Sequence, residues 1–394
     1  MAGPRHVEGR LPFRGLLVVE LCDTPAGECV GKLLADLGAE VVKVEPPEGA
    51  RSRRQGPYLD GADDDPDSSL AFWAYNTSKR SVAVDDANRG SVLEKLLGRA
   101  DVVLNTAAPR ELAAAGVDYD EWLERYERLI VVSVTPFGLT GPWRDYRSSE
   151  LIGLAAGGPL WSCGYDDHEI PPILPGGHQA SQLAASFAYS ALLLALIDRH
   201  RGGKGQLVDV SMHEACAVSG ELANPYWFYP KALVQRQTCR HAQPVRTQPA
   251  LFQCADGAWV YFALVLADAR SWKSLVDWLD AADLAVDLTE PGYHELSHRQ
   301  ANFAHIQGVL DTFFLLQDSE TAYREGQERG LPIGPLRAFE ELAADEHLRA
   351  RKFFVDVPAG ERTITLPGLP YRFSGFRAEP GPAPRLGEHT DTLR

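Results

Sequence analysis

Short apolar runs and amphipathic stretches alternate along the first third of the chain. Residues 16–21 (LLVVEL) read as a buried strand, residues 28–37 carry helical spacing, and Gly38 supplies a C-cap. Residues 40–45 (EVVKVE) form the next strand, stopped by Pro46 and Pro47. Strand, tight loop, helix and strand make a βαβ unit, which predicts a parallel sheet. Residues 51–67 read as an exposed loop and residues 70–75 as an aromatic helical turn. The alternation then resumes, with strands over 81–85, 101–105 and 129–134 and helices over 88–100, 110–116 and 118–126. The longest apolar segment, 183–197, is too short to span a bilayer, which takes about 20 residues. It predicts a helix buried on most faces. A glycine-rich turn over 201–205 and a buried strand over 206–210 follow it.

The pattern changes near residue 222. Residues 224–249 are aromatic and basic without a clear period. Residues 250–262 read as a hairpin turning at Ala255-Asp256-Gly257, followed by helices over 271–279, 301–316 and 319–328. Residues 331–336 read as a rigid link, 339–350 as helix and 352–357 as a strand; the Pro/Gly-rich tail over 380–393 is expected to lie on the first domain. The class is α/β. A large Rossmann-like domain is expected over 1–221, a smaller α+β domain over 222–330, and a link and return to the large domain over 331–394.

Of the 394 residues, 45% are hydrophobic, enough for a sizeable core, and the net charge of -15 argues against a nucleic-acid surface. The six cysteines form no CxxC pair, so no metal site is expected; they read as free thiols in a reducing cytoplasm. The N-terminus lacks the apolar stretch of a signal peptide. A cytoplasmic protein acting without a membrane or nucleic acid is expected.

Candidate chemistry gathers in three places. The first loop, Asp23 to Gly27, sits where a nucleotide-binding fold holds its ligand, but it lacks the GxGxxG of a dinucleotide site. Residues 136–143 lie at the carboxyl end of the fifth strand, with Arg144 and Arg147 as phosphate partners or surface ion pairs. Residues 176–181 (GGHQAS) open the apolar helix, either as an anion site or as an ordinary start with a Ser cap.

Several phrases fit together: LLADLGAEVVKVEPPEG, NTSKRSVAVD, RADVVLN, RLIVVSVTPFGLTGPW, GGKGQLVDVSMHEA and GEHTDTL. In this order and spacing the chain resembles the family III CoA-transferases, a group that includes formyl-CoA transferase, carnitine CoA-transferase and 2-methylacyl-CoA racemases. The resemblance implies a large domain built from both chain ends, a small middle domain, and an interlocked homodimer or heterodimer. It implies coenzyme A or an acyl-CoA as substrate, with no permanently bound cofactor. In the family reaction an Asp attacks the acyl-CoA thioester to give a mixed anhydride, CoA returns to give an aspartyl-CoA thioester, and the acceptor acid collects the CoA. Only a carboxylate nucleophile gives so labile an anhydride.

The position of that Asp falls on Ser181, and no carboxylate lies between His178 and Ile197. The racemase His falls on Ser149, beside Glu150, so racemisation by that pair is disfavoured. An Arg that helps hold CoA falls on Ala114, and a Lys on Arg147, which keeps the charge. The resemblance assigns the CoA loop to Thr24, Pro25 and Ala26, an adenosine-side contact to Asn105, Thr106 and Ala107, and the phosphate side to Lys79, Arg80 and Arg147.

The preferred reading is an Asp-less subunit acting in CoA transfer between carboxylic acids, paired with a catalytic paralogue. The alternatives are a self-sufficient transferase using Ser181 or Glu150 as replacement nucleophile, with Glu214, Asp166 and Asp167 as further candidates, and a non-catalytic acyl-CoA-binding protein. Trp161, Tyr165, Trp227 and Phe228 point either to an apolar or aromatic acid substrate or to ordinary packing.

Overall fold

The computed structural model describes residues 10–63, 65–220, 222–264, 266–359 and 362–392. The first nine residues, read above for a signal peptide, and Leu393 of the tail lie outside these. The chain divides into two compact units, one of Met1–Trp161, Leu174–Glu221 and Glu346–Arg394, the other of Ser162–Ile173 and Leu222–Asp345.

The first unit is built on a six-stranded sheet: β1 (Leu17–Leu21), β2 (Glu40–Glu45), β3 (Arg80–Ala83), β4 (Val102–Asn105), β5 (Ile130–Thr135) and β6 (Leu207–Ser211). Their order is β3-β2-β1-β4-β5-β6, and every pairing is parallel. Strands covered on both faces need apolar side chains on both, hence the valine-rich runs. On one face Val18, Val41, Val102, Ile130 and Val132 form a core with α1 (Pro25–Ala35). On the other, Val19, Val42, Val103 and Val131 pack with Leu93, Leu96 and Leu97, from the helix after β3, and with Leu112. The remaining helices of this part are α2 (Leu70–Tyr75), α3 (Asp86–Leu97), α4 (Pro109–Ala114), α5 (Tyr119–Arg125), α6 (Glu150–Gly157), α7 (Gln179–His200) and α8 (Met212–Val218).

At 22 residues, α7 outruns the apolar segment at both ends and is long enough to cross a membrane by length and composition. It packs on the first unit by one stripe rather than being buried on most faces as expected, and Phe187, Leu194 and Ile197 are exposed. Ala180, Ala184, Ala188, Leu192 and Ala195 are buried in one stripe, and small side chains let α7 lie close to the sheet and α1.

A second feature of the α1 face is ionic. The register sets Glu20 beside Lys43 and Lys43 beside Ser81, and Glu20 and Lys43 point under α1. Lys43 Nζ meets Glu20 at 3.0 Å and Glu28 at 2.7 Å and donates to Cys22 O at 2.6 Å; Lys79 Nζ meets Glu20 at 2.8 Å. The four side chains are fully buried. Burial opposes the Lys43 charge, but Glu28, Glu20 and Glu45 outweigh it and raise its pKa. Lys79, equally buried, shares one of those carboxylates and feels Lys43, so its pKa falls. Next to this cluster Glu45 accepts from Arg53 at 2.7 and 2.8 Å and from Ser81 at 2.6 Å, and Arg53 lies 3.7 Å over the Phe72 ring.

The second unit holds α9 (Ala223–Phe228), the hairpin β7 (Gln235–Gln237) and β8 (Arg240–Gln243), and an antiparallel sheet of β9 (Leu251–Gln253), β10 (Trp259–Phe262) and β11 (Ile333–Pro335). Its core joins Phe252 and Phe262 to Trp278 of α10 (Ala269–Ala281) and to Phe313 and Phe314 of α12 (Phe303–Leu315), with Leu296 of α11 (Leu296–Ala301) and Ala322 of α13 (Ser319–Glu328) packed beside them. Residues 331–336, expected as a link, contain β11, because Ile333 pairs with Phe262. Residues 162–173, read as part of the large domain, also belong to this unit.

The chain returns to the first unit through the hairpin β12 (Phe354–Ala359) and β13 (Arg362–Pro367). The tail then lies along β3: His389 N donates to Ser81 O at 2.9 Å and Ala83 N to Thr390 Oγ1 at 3.0 Å. This covers an edge whose backbone groups would otherwise be open to pairing.

Lys43→Met leaves Glu28 buried without a cation and Glu20 with Lys79 alone, so the urea midpoint should fall by the equivalent of about 3–5 kcal/mol. The pH dependence has a definite sign. Burial resists ionisation of Glu45, but the Arg53 hydrogen bonds and the Lys43 and Arg53 charges prevail and hold its pKa below the ordinary value. Its stabilisation is complete above the unfolded pKa, about 4.3, and is lost as pH falls through the lower folded value. Urea titrations across pH 7 to 3 should show Glu45→Gln weaker at neutral pH, with a shallower acid decline than the wild type.

Candidate active site at the carboxyl edge of the sheet

The strand order reverses direction between β1 and β4, the place where open α/β sheets bind ligands beyond their carboxyl ends. Leu21 pairs with Asn105 there, so the loops after both strands stand side by side. Thr24 caps α1 in extended conformation and Pro25 opens the helix. Asp23 N donates to Thr106 Oγ1 at 3.3 Å, and Ala107 N to Asn105 Oδ1 at 2.8 Å. Thr24, Pro25 and Ala26 are thus brought to Asn105, Thr106 and Ala107. A Cβ on Gly27 would lie 2.4 Å from Cys22 Sγ and 2.5 Å from Thr106 Cγ2, and one on Gly31 1.8 Å from Glu20 Oε2. Glycines four apart on one helix are what let α1 approach the sheet. They were the signal available in a sequence without GxGxxG.

The second cluster forms where α6 and α7 begin. Ser149 caps α6, its Oγ accepting from Ile152 N at 3.3 Å. Glu150, the first residue of α6, sends its carboxylate across to the start of α7. It accepts from Ala180 N at 3.0 Å, from Ser181 N at 3.2 Å and from the Ser181 hydroxyl. His178 Nδ1 lies 3.7 Å from the same carboxylate. Ser181 and Glu150, far apart in sequence, are therefore in direct contact. The Ser cap expected for α7 is replaced: His178 holds the cap position with left-handed backbone (φ 53°, ψ 48°) and no capping side chain, and Glu150 supplies the acceptor. A carboxylate suits that end because it meets free N–H groups and the positive end of the helix dipole.

Around this contact, Gln182 Nε2 donates to Tyr75 Oη at 3.1 Å and Cys29 Sγ lies 3.5 Å from Gln182 Oε1. The Tyr75 ring stands edge-on to His178 at 6.1 Å. Burial raises the pKa of Tyr75 and of Cys29, and burial with the Glu150 charge takes Cys216 to about 11. These thiols are held protonated and are poor nucleophiles.

The phosphate-side expectation needs correction at two residues. Lys79 is buried, and its Nζ is committed to Glu20, to Glu28 O at 2.8 Å and to Asn76 Oδ1 at 2.8 Å. Arg80 opens β3 at the amino edge of the sheet, away from the carboxyl edge, and pairs with Glu40 at 3.0 Å. Neither offers a free cation to a ligand at the switch point. Arg147 is exposed on the loop after β5.

Of the other candidates, Asp166 is bound by Arg240, Asp167 accepts from Glu169 N at 2.9 Å, and Glu214 is exposed on α8. Trp161, Tyr165, Trp227 and Phe228 are each more than 40% exposed, so they are not part of a packed core. Among the described residues no cluster of His, Cys, Asp or Glu is arranged to hold a metal.

A six-stranded parallel sheet in this order, with helices on both faces, defines a Rossmann-like α/β fold. The model of CoA-transferase family III matches residues 13–390, and the chain belongs to that family. It is 32% identical over 389 residues to the succinyl-CoA:(R)-benzylsuccinate CoA-transferase subunit BbsE of Thauera aromatica, covering 92% of this chain and 89% of that protein. It is 30% identical over 391 residues to the acetyl-CoA:oxalate CoA-transferase of Acetobacter aceti, covering 97% and 95% of the two. Among solved structures, a CAIB/BAIF family protein from Brucella suis superposes with a TM-score of 0.83 at 26% identity, over 98% of this chain and 99% of that one.

Glu150→Gln keeps the side-chain shape but removes the charge that caps α7. Thermal unfolding should show a loss of about 1 kcal/mol, the usual worth of a cap.

Proposed function

We propose that this chain is an Asp-less subunit of a family III CoA-transferase, which binds CoA or an acyl-CoA and acts with a paralogue that carries the nucleophilic Asp. The observation that carries the reading is the Glu150–Ser181 contact. At the helix start where the family reaction needs a free carboxylate, this chain has a hydroxyl, and that hydroxyl is spent as a donor to Glu150. The Glu150 carboxylate also takes two backbone N–H groups of α7. An attack by either of its oxygens on a thioester carbonyl would have to break these bonds and uncap the helix. Ser181 as nucleophile would form an ester, which passes its acyl group on less readily than an anhydride does.

The binding half of the task remains. Thr24, Pro25 and Ala26 with Asn105, Thr106 and Ala107 form the cleft for CoA, and Arg147 serves its phosphates. The name of the Thauera aromatica relative, a subunit, supports a heteromeric arrangement. We place the complex in the cytoplasm as an interlocked dimer, with small carboxylic acids as donor and acceptor.

The test is incubation of the purified chain with acetyl-CoA or succinyl-CoA, with hydroxylamine trapping and mass spectrometry. The chain alone should give no adduct and no CoA exchange, and mixing with an Asp-bearing paralogue should give exchange with the adduct on the paralogue. An adduct on Ser181 or Glu150 would establish a self-sufficient enzyme instead. Reversible CoA binding with no activity in any mixture would establish a binding protein. A second check is Arg147→Ala, expected to weaken CoA binding several-fold in calorimetry while leaving the thermal midpoint unchanged, as suits an exposed phosphate contact.

A further inference from the structure

The amino edge of the sheet, opposite the switch point, carries a groove of about 700 Å³ that the proposed function does not use. It lies where β1, β4 and β5 begin, at Leu17, Val102 and Ile130, beside the last turns of α7. Ser181 and Ile197 are sixteen residues apart on α7, about 24 Å at 1.5 Å per residue. The groove is therefore separate from the Glu150–Ser181 contact. Phe13, Leu16, Leu193, Leu196 and Ile197 form its apolar side, and Ile197 is 48% exposed.

Its polar side is basic. Arg14 comes from the turn before β1, Arg128 from the turn before β5, and His200 and Arg201 from the end of α7; all four are exposed. Among the described residues no hydrogen bond or ion pair meets the guanidinium of Arg14, Arg128 or Arg201. The acids near them are in use. Asp101 accepts from Leu17 N at 3.0 Å and pairs with Arg199 at 3.0 Å, Glu127 is bridged to Lys204 at 2.7 Å, and Asp198 accepts from Gln206 Nε2 at 3.2 Å. A helix C-terminus favours basic residues, which accounts for His200 and Arg201, but Arg14 and Arg128 stand on other segments. The chain holds 54 acidic residues against 39 Lys and Arg, so a cationic cluster without a free carboxylate runs against its composition. The walls are fixed in place. Buried Arg199 donates to Asp101 O at 3.1 Å and to Arg128 O at 2.7 Å, and Phe13 N donates to Leu37 O at 3.2 Å.

From this geometry we infer that the groove binds a small organic acid with an apolar tail, its carboxylate toward the three arginines and its tail along Phe13, Leu16 and Ile197. Guanidinium groups match a carboxylate with paired, charge-assisted hydrogen bonds. The tail gains burial against side chains that otherwise face water. The volume is that of an ordinary ligand cleft. An anionic membrane fits less well, because a net charge of -15 is repelled by it. The inference does not depend on CoA binding at the opposite edge.

The probe is octanoate, kept below micelle-forming concentrations and titrated calorimetrically into the purified full chain, with acetate, octanol and inorganic phosphate as controls. Octanoate should bind one to one. Each control lacks the charge or the tail and should bind about tenfold more weakly or worse. Arg14→Gln and Arg201→Gln should each weaken octanoate binding about fivefold, and Ile197→Ser about threefold, with thermal midpoints unchanged because the side chains are exposed. Saturating CoA should leave octanoate binding as it was. Binding that CoA abolishes, or that all three variants leave intact, would put octanoate elsewhere and overturn the inference. So would a wild type that binds no octanoate. In that case, adsorption to phosphatidylglycerol vesicles lost in the arginine variants would mark a membrane-facing surface, and altered sedimentation of those variants would mark a subunit contact.

Discussion

Lys43 is the side chain on which the carboxyl edge of the first unit depends. Moving an ion of its kind from water to the protein interior costs several kcal/mol, which only close partners in good geometry offset. Its partners come from three places: Glu20 on the neighbouring strand, Glu28 on α1, and the carbonyl of Cys22 in the loop between them. All three must be in place at once. The position of α1 over the sheet and the path of the loop at the switch point are therefore set together. Gly27 and Gly31 permit the approach, since any larger residue would strike Thr106 or Glu20.

The same economy governs the start of α7. A helix start buried among other elements needs acceptors for its free N–H groups. Here the acceptor is a carboxylate brought from α6 rather than a local side chain, and α6 in turn is begun by Ser149. One acidic side chain thus joins two helix starts and satisfies the Ser181 hydroxyl. The charge of Glu150 is thereby met by two backbone N–H groups and one hydroxyl. Cys29, Tyr75 and Cys216 line the surroundings in protonated form, which leaves no strong nucleophile in the immediate contact.

Much of this was legible in the residues. Valine-rich runs separated by amphipathic stretches specify parallel strands with crossover helices, because the period of the apolar pattern is a local property. The absence of an acid at the start of α7 could be read directly, as could the family likeness, from phrases in order. Some local signals were passed over: Thr-Ile-Thr-Leu in β13 alternates as a strand should, and Ile333 carries the β-branched shape of one. Others were not local at all. Lys79 and Arg80 look like free cations in sequence; which carboxylate each meets depends on strand register and on which end of the sheet it occupies.

The sequence by itself determined the class of fold, the family, and the absence of an acid between His178 and Ile197. Each of these follows from the identity and spacing of neighbouring residues. Only the tertiary structure decided that Glu150 closes on Ser181, that Lys79 is an interior ion, and that Arg14, Arg128 and Arg201 line one groove at the amino edge of the sheet. Those placements join residues distant along the chain, and they exist only once the order of the strands has set which loops lie next to one another.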